Sequence, residues 1–138
     1  MTELTFLHLN PTWNADPNVP VPEVLVSGAD VELRFRLNHF VYEAAPEEVG
    51  ILIFRGCSKW RLGETNDEGW YLGQCRYSRL APNWGEFYEL LGHDPLAHAP
   101  TDWEATANHD TEERHFVFYL RDETFECFAK IWEFSRSQ

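Results

Sequence analysis

A chain of 138 residues, 43% apolar and 15% aromatic, is long enough for one hydrophobic core and too apolar for disorder; two full domains would not fit. Eleven Lys and Arg against 23 Asp and Glu give a net charge of -12, which repels phosphate. Nucleic acid is excluded as a ligand on that ground and an anionic membrane surface is disfavoured, whereas a basic protein partner would be attracted.

The start of the chain, Met1 to Phe6, lacks the basic residues and apolar core of a secretion signal, and no apolar run approaches membrane-spanning length, so a cytoplasmic setting is expected. Residues 10–22 carry Pro11, Pro17, Pro20 and Pro22, which fix φ and remove backbone donors; this stretch reads as an extended connection over the surface. Next, Glu23 to Ser27 and Val31 to Val41 flank Ser27-Gly28-Ala29-Asp30, a hairpin signal. Val31, Leu33, Phe35 and Leu37 alternate with polar residues, as on a strand with one wet face.

Val49-Gly50-Ile51-Leu52-Ile53-Phe54 is apolar without alternation, which predicts a central strand covered on both faces. The chain then runs through Arg55 to Trp60, meets a turn-rich stretch from Gly63 to Gly69, and returns as Trp70 to Ser78, a second predicted hairpin. Trp84 to Leu91 reads as a short helix, with Asn83 as cap, Glu86 completing a capping box and Gly92 closing the end. At the C-terminus, Phe125, Phe128, Ala129 and Trp132 have helical spacing. A hairpin turning at Asp122-Glu123 explains more, because Phe116, Phe118, Leu120, Phe125, Cys127, Ala129 and Ile131 then share one side. These elements predict a mainly β single domain over residues 1–138, an antiparallel β-sandwich or rolled sheet with one short helix. The alternative is an α+β fold with a C-terminal helix.

The densest group of recognition residues lies on the second predicted hairpin. If its strands pair, Trp60 shares a face with Trp70, Gln74 and Arg76, beside Arg55 and Arg61, and aromatic planes next to guanidinium groups suit partner or ligand binding. Cross-strand packing with solvated charges is the plainer reading of the same residues. Glu64, Asp67 and Glu68 lack calcium-loop spacing, and His93, His98, His109 and His115 lack any metal-ligand spacing, so no metal is assigned. The odd set Cys57, Cys75 and Cys127 fits neither a disulfide scaffold nor a zinc knuckle and predicts reduced, buried thiols. There is no GxSxG elbow and no glycine-rich phosphate loop, so no catalytic residue and no cofactor is assigned. Two functions stay open. One is a non-catalytic acidic module that binds a protein, in the manner of an inhibitor or immunity protein. The other is a small-molecule-binding protein or enzyme with a β-lined pocket under the 93–113 loop. A homodimer through exposed aromatics is compatible with both.

Overall fold

The computed structural model describes residues 4–64, 71–72, 76–77, 80–92, 94, 97–108 and 113–137. Among them the chain forms ten strands: β1 (Thr5–His8), β2 (Glu23–Ser27), β3 (Asp30–Arg36), β4 (Val49–Arg55), β5 (Lys59–Gly63), β6 (Phe87–Leu91), β7 (Glu104–Ala105), β8 (Arg114–Tyr119), β9 (Thr124–Ala129) and β10 (Ile131–Ser137). They build two antiparallel sheets, a six-stranded one in the order β1-β6-β8-β9-β5-β7 and a four-stranded one in the order β10-β4-β3-β2. The sheets pack face to face as a β-sandwich, the arrangement that buries two alternating apolar faces at once. No helix among the described residues is long and apolar enough to cross a membrane.

Alternation sets the inner face of the four-stranded sheet. Val31, Leu33 and Phe35 on β3, with Leu37 just beyond it, point inward beside Leu52 and Phe54 of β4 and are all buried. The β2–β3 hairpin closes at Gly28-Ala29 with Ser27 opposite Asp30, and Gly28 alone in that turn has a positive φ, the pattern of a type II′ turn. The predicted strand over Val31 to Val41 ends earlier than expected, at Arg36, because Asn38 turns the chain outward. β4 is central, paired along both edges, yet only its inner face is buried; Val49, Ile51 and Ile53 are half exposed on the outside.

The proline-rich connection does more than wrap the surface. Trp13 inserts between the sheets, its ring lying parallel to that of Phe134 at 4.0 Å between centroids and edge-on to Phe118 at 6.0 Å. Its neighbour Ala15 bridges Leu37, so the strap is held by backbone pairing as well as by the buried ring.

Two sequence expectations are overturned. Among the described residues the second hairpin does not form: β9 lies along one whole edge of β5, β7 takes the other edge at Lys59 and Trp60, and Tyr71, Leu72, Arg76 and Tyr77 are not in strands. The region predicted as a helix, Trp84 to Leu91, is a turn followed by β6. Gly85 takes φ +83°, which ends any helical path, and β6 is buried on both faces, so its apolar residues lack the period of two that marks a half-wet strand. The C-terminal hairpin forms, and a C-terminal helix does not. Phe118 pairs with Phe125 and Phe116 with Cys127, so the turn centres on Arg121-Asp122, one position earlier than expected. This displacement keeps every residue on its own face, and Phe116, Phe118, Leu120, Phe125, Cys127 and Ala129 all join the core. Ile131 leaves that set, because the chain crosses at Lys130 into the other sheet.

Candidate functional site

The six residues nominated for recognition separate in the fold. Arg55 ends β4 and meets Glu133 at 3.2 Å and Asp30 at 3.4 Å on the outside of the four-stranded sheet. Trp60 faces the sandwich interior, stacked on Phe125. Arg61 and Arg76 meet on the opposite surface, the outer face of the six-stranded sheet. Trp70 and Gln74 lie outside the described residues, as do Cys75, Asp67, Glu68, His93 and His109.

That outer face is covered rather than wet. Glu126, the outward residue at the middle of β9, is fully buried; Arg76 grips it with both carboxylate oxygens, Nε to Oε1 at 2.9 Å and a terminal nitrogen to Oε2 at 2.7 Å. His115 Nε2 stands 2.5 Å from Oε2, and Arg61 adds a contact at 3.7 Å while binding Asp102 through two nitrogens. Burial alone would push the Glu126 carboxyl up, but the hydrogen bonds from Arg76 and His115 outweigh it and hold the group below the usual carboxylate range. Arg76 also binds the Ala97 carbonyl and the Tyr77 hydroxyl, and its own carbonyl accepts from Tyr119. The Tyr77 hydroxyl donates to Asp94, and burial followed by that bond drives its pKa up. The ionic cluster therefore ties Arg76, Tyr77, Asp94, Ala97 and Asp102 to the sheet.

Aromatic packing completes the cover. Phe128 is flanked by the rings of His98 at 4.6 Å and His115 at 4.3 Å, with Trp103 against it at 5.5 Å. Lys59 sits over Trp103 and donates to Nδ1 of His98 at 2.7 Å; burial, then Lys59, lowers the His98 pKa. The described part of the 93–113 loop thus lies flat on the sheet. Beside it runs a cleft of about 410 Å³ lined by Glu89, Asp94, Glu113, Arg114 and His115 among others. Its polar groups are engaged with one another and with neighbours: Glu89 with Arg114, Asp94 with Tyr77, Glu113 with Ser58 and Asn108. No group of three or more His, Cys, Asp or Glu among the described residues is placed to hold a metal ion. Cys57 and Cys127 are buried free thiols, and burial followed by a hydrogen bond with Cys57 raises the Cys127 pKa well above its ordinary value, which makes that thiol unreactive.

An exposed apolar feature lies elsewhere, in the loop between β3 and β4. Phe40 and Val41 are 63% and 79% exposed. They are not loosely hung, because the buried Asn38 accepts hydrogen bonds from the N–H groups of both, at 2.9 and 3.3 Å, and the His39 ring packs on Phe40 at 4.2 Å between centroids. Glu43 and Glu47 are exposed in the same loop, while Glu48 points back to cap Ala45 and approach Arg136. Tyr42 lies close enough to Glu86 for that carboxylate to reinforce the pKa rise that burial begins.

Sequence reasoning missed both Glu126 and this loop. The signal for Glu126 was a carboxylate inside Phe125-Glu126-Cys127-Phe128: a charge in a run covered on both faces requires partners. For the loop it was His39-Phe40-Val41-Tyr42, where alternation fails just before Pro46 and three glutamates. Comparison with protein-family models, curated proteins and solved structures finds no match to this chain.

Proposed function

We propose that this chain is a non-catalytic module that binds a basic protein partner through the loop from His39 to Glu48. The observation that carries the reading is the exposure of Phe40 and Val41, on a backbone turn held by Asn38, beside Glu43 and Glu47. A large aromatic on a held backbone loses less entropy on docking and can fill an apolar pocket, while the carboxylates around it favour a cationic rim on the partner. The net charge of -12 adds long-range attraction for such a partner. The alternative of a small-molecule pocket under the 93–113 loop has weaker support, since the polar groups lining the neighbouring cleft already have partners within the protein.

Photo-crosslinking tests the reading. A benzophenone side chain at position 40 is expected to give a discrete adduct in native lysate that fades as salt rises and falls about tenfold or more with Glu43→Lys and Glu47→Lys combined. The same probe at Ile131, on the outer face of the four-stranded sheet, is expected to give none. Identical adducts from both positions, or an adduct at position 40 indifferent to the two charge reversals, would refute it.

A further inference from the structure

Edge strands expose unpaired backbone groups, and natural sheets blunt them with short strands, lysines, prolines or covering loops. β1 has four residues and β7 two. β10 carries Glu133 and Arg136, and Arg136 reaches across to the Glu43 carbonyl at 2.7 Å. β2 is the least protected edge: Glu23-Val24-Leu25-Val26-Ser27 contains no Lys, no Pro and no bulge, its one charge is Glu23 at the start of the strand, and it pairs with β3 residue for residue. Val26 faces the sandwich interior opposite Val31, yet remains 49% exposed, so no described residue closes that edge. Leu25 on the outer face and Val21 just before the strand are also exposed, at 39% and 55%.

Hydrogen-bond alternation fixes which groups this edge offers. In a two-residue hairpin the residues flanking the loop form a hydrogen-bonded pair, so Ser27, Leu25 and Glu23 direct their N–H and C=O toward β3. Val24 and Val26 therefore direct theirs outward, to the open edge.

From this edge we infer that β2 pairs antiparallel with β2 of a second copy about a two-fold axis through Leu25, joining the two four-stranded sheets into one continuous sheet. The strand is self-complementary about that point. Val24 meets Val26 of the second copy, and these are the residues whose free N–H and C=O groups can be exchanged on either side of the axis. Leu25 meets Leu25, and Glu23 meets Ser27, so no like charges stand opposite each other. The inner faces line up Val24 and Val26 as one apolar row across the axis. This contact is independent of the loop from His39 to Glu48.

Sedimentation of the purified full chain over a range of concentrations tests the inference. A monomer–dimer equilibrium is expected, and it tightens with added salt, because each copy carries a charge of -12 and screening relieves their repulsion. Leu25→Lys places like charges together at the axis on an exposed position and should weaken the dimer about tenfold or more. For register, Leu25→Cys in a Cys75→Ser background should cross-link to a disulfide dimer on mild oxidation, since it faces itself in a non-hydrogen-bonded pair, whereas Glu23→Cys in the same background should not. A chain that stays monomeric at all concentrations and salts overturns the inference. So does a dimer unaffected by Leu25→Lys or cross-linked equally by the two cysteines, which would place the contact on another surface.

Discussion

Glu126 shows how one side chain can organise a layer. It is buried in the middle of a sheet face, and the groups that bind it arrive from separate stretches of chain: Arg61 on β5, Arg76 in the covering segment, and His115 on β8. Breaking a buried pair leaves the surviving charges without compensation, at a cost of about 3–5 kcal/mol. Glu126→Gln is therefore expected to lower the urea midpoint strongly at pH 7. The pH dependence has a defined sign. The native carboxyl titrates below its unfolded value, so its stabilising contribution is complete above the unfolded carboxylate range and is lost as pH falls through the lower native value. Urea titrations at successive pH values should show the gap between wild type and Glu126→Gln narrowing under acid; a gap that stays constant would mean that the carboxylate charge is not what the cluster relies on. At this scale little was legible in the sequence. Arg61 and Arg76 stood out as cations fit for recognition, but the carboxylate that turns them inward is 50 positions from Arg76, and no local spacing encodes that pairing.

Elements were legible where alternation or turn residues mark them, and misread where an apolar run shows neither. Val31 to Leu37 and the Gly28-Ala29 turn announced the first hairpin through alternation and a glycine, and the alternating faces of Phe116 to Ala129 survived a displaced turn because the displacement preserved parity. β6 is covered on both sides, so Phe87, Tyr88 and Leu91 mimicked a helical stripe. β5 was assigned the wrong neighbours because nothing local states that β9, more than sixty residues later, takes one edge and β7 the other. Gly50 illustrates information present in β4 but unread: a glycine inside a strand often marks close approach by a neighbour. A Cβ at Gly50 would lie 2.7 Å from the Phe35 ring and 2.9 Å from Leu37, both buried. Gly50→Ala should thus cost about 1–3 kcal/mol by overpacking. Phe35→Leu, which shortens the intruding side chain, should recover part of that loss in the double variant. Additive losses in thermal denaturation would show that the glycine serves some other need.

For the whole molecule the governing quantity is the imbalance of 23 acidic against 11 basic side chains. Several of the cations are committed inward or to neighbours: Arg61 and Arg76 to Glu126, Arg114 to Glu89, Arg55 to Glu133. The exterior is left dominated by carboxylates, and the two proposed contacts then respond to salt in opposite directions. Docking of a basic partner at Phe40 and Val41 weakens with screening, and self-pairing at β2 strengthens with it. The isolated fold should respond in a third, separable way. Compacting a chain with a charge of -12 brings like charges together, a repulsion that surface screening relieves, whereas the buried Glu126 cluster is screened far less. Thermal unfolding of Leu25→Lys, which removes the dimer contribution, is therefore expected to move upward by a few degrees, about 1 kcal/mol of stabilisation, between low salt and 0.3 M sodium chloride at pH 7. A downward shift would mean that exposed ion pairs such as Arg55–Glu133 outweigh the net repulsion, and that the surplus of carboxylates does not set the stability of this sandwich.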